Sequence, residues 1–292
     1  MWEFSLEYLR CVNCGSKLEL EVFERSNEIK EGLFLCLNCN SKYPIISKVP
    51  ILWSDFVSYL SNRTQLGGYL MNQAKNSTLK SFVKNSLKKI NRQATDITCI
   101  EKRWVTTYKN SLKSKFYTHI KNSIKRFPTS NLVLEHGCSI GHITQYLAQK
   151  HDTVFGIDQS FFAITEAKKN NAKNLDYFVA NSLRPPFGKT RFGMVVVLNM
   201  LELIEPLDLL KVISSQLKGT VVISDPYDFE RGKDSIKHRV DEKSLRIELK
   251  KLGFVLVQNT KKPSFIPWKL NINSRLNLNY KVDLIVARNS TS

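Results

Sequence analysis

From Asn131 onward, apolar positions gather into short runs separated by amphipathic stretches. "NLVLEHG", "DTVFGID" and "LDYFVAN" read as strands, with "HITQYLAQK" and "FFAITEAKKNN" as the helices between them. "RFGMVVVLNML" is almost continuously apolar, the pattern of a strand covered on both faces. "PLDLLKVISSQL" reads as a helix with Pro206 at its start. "GTVVISDPYD", "FVLVQNT" and "KVDLIVARN" read as further strands, and "DEKSLRIELKKLG" as a helix. Strands alternating with helices in this way predict a doubly wound, Rossmann-like α/β sheet.

The chain before this region has a different texture. Residues 53–128 are rich in Lys, Asn and Ser. "LKSFVKNSLKKI" places Leu79, Phe82, Val83, Leu87 and Ile90 at helical spacing. "RWVTTYKNSLKSKFYTHIKNSI" is expected to be helical too, with its aromatic stripe of Trp104, Tyr108, Phe116 and Tyr117 packing into a core. Pro128 in "FPTSN" ends that segment. The expected organisation is therefore a small unit over 1–52, a helical linker or cap over 53–128 and an α/β domain over 129–292.

The chain has 292 residues, long enough for a sizeable core, and 42% of them are hydrophobic. No apolar run approaches the ~20 residues of a membrane-spanning helix. The opening "MWEFSLEYLR" lacks the layout of a signal peptide, so a cytoplasmic protein is expected. The net charge of +18 is compatible with RNA as a partner, and equally with a lysine-rich surface that has no such role.

Four of the six cysteines form two CxxC pairs, Cys11 with Cys14 and Cys36 with Cys39. Paired thiolates at this spacing fit a closed tetrahedral zinc site with no open coordination position. The 21 residues between the pairs exceed the usual ~15–20, a difference that a hairpin absorbs. About 50 residues bury little core, so the metal is expected to supply folding energy.

"LEHGCSIGHITQYLA" joins the first strand of the α/β region to its first helix. A dinucleotide fold uses GxGxxG at that place. Here Ser139 replaces the middle glycine between Gly137 and Gly141, and Glu135 closes the strand. A carboxylate there repels a pyrophosphate and suits the ammonium of S-adenosyl-L-methionine (SAM). Asp158 ends the second strand, in "GIDQS", where a carboxylate accepts bonds from ribose hydroxyls.

Two resemblances follow from these motifs. "LRCVNCGSKLEL", "EGLFLCLNCNSKYPI" and "SKVPIL" resemble the Trm112-like zinc ribbon, with Gly32, Tyr43-Pro44-Ile45 and Pro50-Ile51-Leu52 at its characteristic places. Val12 stands where that ribbon commonly has proline. Such ribbons either activate separate methyltransferases or precede a fused one. Residues 131–292 resemble class I SAM-dependent methyltransferases, through "LEHGCSIGHITQYLA", "GIDQS" and "YFVANSLRPPF". This second resemblance implies a seven-stranded methyltransferase sheet. Glu135, Gly137, Cys138, Ser139 and Gly141 would surround the methionine part of SAM. Asp158 would hold the ribose, Gln159 would flank the adenine, and Asn181 would face the adenine amine where the family often has Asp. Asn199 would border the methionine end.

The bend "SDPYDF" after the fifth strand places Asp225 and Tyr227 where an acceptor would be bound, oriented or deprotonated. "KPSFIPWKLNINSR" offers Trp268 and Arg275, either as pocket residues or as parts of a long hairpin packed on the sheet. The resemblance implies methyl transfer to a small molecule or peptide, with nitrogen as the expected target. An RNA base methyltransferase and a non-catalytic adaptor of another methyltransferase are the alternatives.

Overall fold

In a computed structural model, residues 1–91, 95–230 and 236–289 are described, apart from the side chain of Gln258. The linker assigned to 53–128 thus includes three residues, 92–94, outside the described ones. The first part of the chain forms strands β1 (Glu19–Arg25), β2 (Ile29–Leu35), β3 (Lys42–Ile46) and β4 (Val49–Leu52). Helices α1 (Phe56–Ser61), α2 (Thr64–Gln73), α3 (Ser77–Lys88), α4 (Thr98–Asn110) and α5 (Lys115–Lys125) follow. Next come β5 (Leu132–His136), α6 (His142–Ala148), β6 (Thr153–Asp158), α7 (Phe161–Ala167) and β7 (Leu175–Ala180). The chain continues through β8 (Phe192–Leu198), α8 (Pro206–Gln216), β9 (Leu217–Asp225), α9 (Glu242–Lys251), β10 (Phe254–Leu256), β11 (Ile266–Asn271) and β12 (Asn277–Asn289). The fold is mixed α/β and Rossmann-like, as the alternation predicts.

The chain divides into two compact units. One comprises Met1–Thr106 with Ile157–Thr190, the other Thr107–Gly156 with Arg191–Ser292. In the first, β1 to β4 form an antiparallel meander, and β4 pairs in parallel with β7 through Ile51 with Val179 and Leu52 with Ala180. Gly32 on β2 pairs with Val22 on β1, beside a shift in their register. A Cβ there would meet the Glu21 carbonyl oxygen at 2.7 Å, which explains the glycine. Asp176 on β7 is fully buried. It accepts bonds from the Trp2 N–H and the Ser5 hydroxyl and pairs with Lys168, so its charge is compensated inside the core. Asp55, Asn76 and Ser160 cap α1, α3 and α7 with their side chains.

In the second unit β5, β8 and β9 are parallel, and β12 runs antiparallel to β9 and β10. Met194 to Val197 on β8 are buried, which accounts for the apolar run. Pro206 opens α8, and Asp241 with Ser244 forms a capping box on α9.

One feature differs from the sequence reading. The helix expected through "RWVTTYKNSLKSKFYTHIKNSI" is broken between α4 and α5. No proline or glycine causes the break. Ser111 and Ser114 instead give their hydroxyl oxygens to the backbone N–H groups of Asn271 and Lys269. β11 is an added strand antiparallel to the first half of β12, with Trp268 opposite Tyr280, the hairpin that is one of the two readings its sequence allows. The "KPSFIPWKLNINSR" stretch is thus a hairpin, with Arg275 exposed at its turn.

Candidate functional site

Two constellations stand out. The first lies in the meander unit, where the sulfur atoms of Cys11, Cys14, Cys36 and Cys39 all fall within 4.8 Å of one another. Cys11 is 3.5 Å from Cys39, and Cys14 is 3.4 Å from Cys36. A tetrahedron of zinc–sulfur bonds of about 2.3 Å requires sulfurs about 3.8 Å apart, so the four thiols fit one such ion. Both knuckles fold alike. Cys11 and Cys36 receive equivalent bonds from Gly15 and Asn40, and both of those residues have positive φ, at 75° and 57°. The Tyr43 hydroxyl lies 3.0 Å from the Cys11 sulfur, and Ser41 is 3.1 Å from that of Cys39. Hydrogen bonds from Ser16 and Asn38 lower the Cys14 thiol to about 5, whereas burial raises Cys36 to about 12.

The second constellation is a pocket within the other unit. Glu135, the penultimate residue of β5, is 3% exposed, and its carboxylate accepts the Thr144 hydroxyl of α6. The loop that follows is left-handed at alternate residues, with φ of 63° at Gly137, 48° at Ser139 and 77° at Gly141. Ser139 is thus a non-glycine residue in the left-handed region, at some steric cost. A Cβ on Gly137 would meet the Met200 sulfur at 2.3 Å. Gly141 caps the start of α6. Glu135, Gly137, Cys138 and Ser139 line the pocket, as does Asn199. Asn199 has φ of 56° and accepts the Ser224 hydroxyl at 2.9 Å.

The other walls are aromatic. Tyr108, Phe116, Tyr117 and Trp268 line the pocket, together with His142. Its empty space, open mouth included, is about 440 Å³. Three members of the stripe read as core packing, Tyr108, Phe116 and Tyr117, therefore face a cavity. The ring of Phe116 is 5.6 Å from that of Trp268, which in turn is 5.4 Å from Tyr280. Tyr117 meets the edge of His142 at 4.7 Å. Burial and the charge of Lys121 lower His142 to about 4, so it is neutral near pH 7. The available signal for this wall was a cluster of aromatics in a segment otherwise rich in Lys, Asn and Ser.

Asp225 and Tyr227 are not among the residues lining this pocket. Asp225 is fully buried and accepts the N–H groups of Leu201 and Tyr227, each at 2.8 Å. Burial raises its carboxyl to about 7, with Asp283 adding to the effect. The Tyr227 hydroxyl donates to Asp283 at 3.0 Å, and burial pushes its proton affinity well above the ordinary tyrosine value. Asp283 is also held by both terminal nitrogens of Arg246, at 2.6 and 3.0 Å.

The remaining sequence-predicted residues belong to the meander unit. Asp158 ends β6 and accepts the Ser160 N–H at 2.8 Å. The Gln159 carbonyl accepts the Tyr59 hydroxyl at 2.9 Å. Asn181 follows β7, and its side-chain oxygen accepts the Leu183 N–H at 2.9 Å.

Residues 133–218, which include the glycine loop, match the family described as a methyltransferase domain. No curated protein matches the chain. Among solved structures, magnesium protoporphyrin IX methyltransferase from Synechocystis with bound SAM is 14% identical. That match covers 80% of this chain and 94% of that one, with a TM-score of 0.43. A chain from the complex of the Haloferax volcanii Trm112 methyltransferase activator with a methyltransferase is 15% identical, covering 66% and 93%, with a TM-score of 0.46. The N-methyltransferase NodS from Bradyrhizobium japonicum is also 15% identical, covering 61% and 98%, again at 0.46. Among the described residues, no helix is long and apolar enough to cross a membrane. The pocket of the second unit offers a carboxylate-lined glycine loop and an aromatic wall, the meander unit carries the thiolate cluster, and residues 133–218 are similar to the methyltransferase domain family.

Proposed function

We propose that the chain transfers a methyl group from SAM to a small-molecule or peptide acceptor, at nitrogen. The observation that carries this reading is the buried Glu135 carboxylate on a pocket it shares with Gly137, Cys138 and Ser139. A fixed carboxylate suits the ammonium of the methionine part and opposes a pyrophosphate. Gly137, Cys138, Ser139, Gly141 and Asn199 surround that part of the cofactor. By sequence resemblance, Asp158 holds the ribose, Gln159 flanks the adenine and Asn181 meets its amine. When bound, SAM supplies an electrophilic methyl group on a sulfonium.

Asp225 and Tyr227 act in this reading by positioning. Asp225 holds the backbone turn that follows Asn199, and Tyr227 ties the end of β9 to Asp283. The four cysteines hold one structural zinc ion in a Trm112-like ribbon, leaving no coordination position for chemistry.

Titration calorimetry with SAM and S-adenosylhomocysteine tests the proposal. Binding of both is expected, and Glu135→Gln and Asp158→Ala should each weaken it roughly tenfold or more, as loss of hydrogen bonds to a charged group predicts. Absence of binding to the wild-type chain would refute the cofactor reading. Unchanged affinity in Asp158→Ala would refute its ribose role.

A further inference from the structure

The pocket has two chemically unlike sides. Glu135 and the glycine loop form one, and Tyr108, Phe116, Tyr117 and Trp268 form the other. Among the described residues that line it, none is lysine or arginine, although the chain carries a net charge of +18. Lys121 is close by, but its ammonium nitrogen lies 3.1 Å from His142 Nε2 and it does not line the pocket. With Lys121 donating to Nε2, His142 keeps its own proton on Nδ1. A phosphate or carboxylate on the acceptor would therefore meet tyrosines and a neutral imidazole, with no fixed cation to replace its water. A planar ring meets aromatic faces, and a positive charge beside them is stabilised by the ring quadrupoles.

We propose that the aromatic side of this pocket binds a small aromatic amine lacking phosphate and carboxylate groups, and that Phe116, Tyr117 and Trp268 determine this specificity. The inference rests on the SAM reading and names the substrate class for the same site. In the transfer, the amine nitrogen uses its lone pair to form the new N–C bond. The C–S bond breaks with its electron pair left on sulfur, giving a neutral thioether, and the nitrogen releases one proton to water. Positive charge thus passes from sulfur to nitrogen alongside the aromatic wall, where ring faces stabilise it without competing for the methyl group.

The wall is held in place from behind. Lys269 and Asn271, which flank Leu270 two residues beyond Trp268, bond through their backbone N–H groups to Ser114 and Ser111 at the α4–α5 break. Trp268 is 2% exposed, so its ring is fixed by packing before any ligand arrives.

The test uses the full, zinc-loaded chain saturated with S-adenosylhomocysteine. Tryptamine, 2-cyclohexylethylamine and adenosine 5′-monophosphate are compared as ligands by saturation-transfer NMR and calorimetry. Tryptamine should bind about tenfold more tightly than either of the others, the range expected for aromatic and cation–π contacts. Trp268→Leu should bring tryptamine to within about twofold of cyclohexylethylamine while S-adenosylhomocysteine still binds. Phe116→Leu and Tyr117→Leu serve as second variants, with S-adenosylhomocysteine binding as the check on folding. Equal or tighter binding of the cyclohexyl amine or the nucleotide to the wild type overturns the inference and leaves the cofactor reading standing. Failure of S-adenosylhomocysteine to bind the wild type overturns both.

Discussion

The Ser111 hydroxyl accepts the backbone N–H of Asn271 at 2.8 Å, across 160 residues of sequence. With the matching bond from Lys269 to Ser114, it occupies the outward donors of β11, which would otherwise form an open strand edge. Ser111 is 1% exposed, so Ser111→Ala leaves a donor with no replacement from water. The expected cost is about 1–3 kcal/mol, with faster hydrogen exchange at the Asn271 amide. Unchanged exchange there would show that the bond does not hold the strand.

The glycine loop makes two opposed predictions. Gly137→Ala combines a positive φ with a clash against Met200, and should destabilise the fold by roughly 2–4 kcal/mol. Ser139→Gly removes a side chain from a left-handed residue and should be neutral or stabilising by up to about 1 kcal/mol. Urea unfolding of the two variants measures both. A stable Gly137→Ala protein would mean that the loop does not take this conformation.

Chelation tests the thiolate cluster. Metal analysis should find about one zinc per chain, and its removal should melt the β1–β4 meander before the rest, because so few residues bury little apolar surface alone. Cys36→Ser should behave like the chelated protein. Full zinc occupancy in Cys36→Ser would show that the ion lies elsewhere.

Asp225 predicts a pH dependence. Its folded value of about 7 lies above the ordinary 3.8, so between these limits the folded chain binds more protons than the unfolded one. Stability from this group is present at low pH and declines as pH rises from about 4 to 7. The melting-temperature advantage of the wild type over Asp225→Asn should therefore shrink over that window and stay level above it. An advantage that grows with pH would contradict the buried, proton-retaining carboxyl.

Much of the architecture could be read from the chain. β5 to β9 were legible because strands buried on both faces leave continuous apolar runs, and Cys11, Cys14, Cys36 and Cys39 because ligand spacing is local. The break at 111–114 was not, because its serines spend their hydroxyls on partners 155 and 160 residues away. For the same reason the aromatic wall was legible only in part, with Trp268 open to a pocket role and the helical stripe read as core. Tyr108, Phe116 and Tyr117 share one helical pattern whether they face a core or a cavity, and Trp268 reaches them only through β11. Asp225 was legible as a conspicuous residue at a strand end. Its burial depends on β12, whose Asp283 is its register partner.

β12 is a single uninterrupted strand of 13 residues. Its first half carries Tyr280 against Trp268, and its second half is stitched to β9 and β10. No hinge separates the two halves, so the pocket wall is mechanically an extension of the sheet edge. A ligand that pushed on Trp268 would load the backbone at Asp283, and through it the Arg246 and Tyr227 contacts. Adapting this pocket to a bulkier guest would therefore take substitutions along β12 as well as at the aromatic rings themselves.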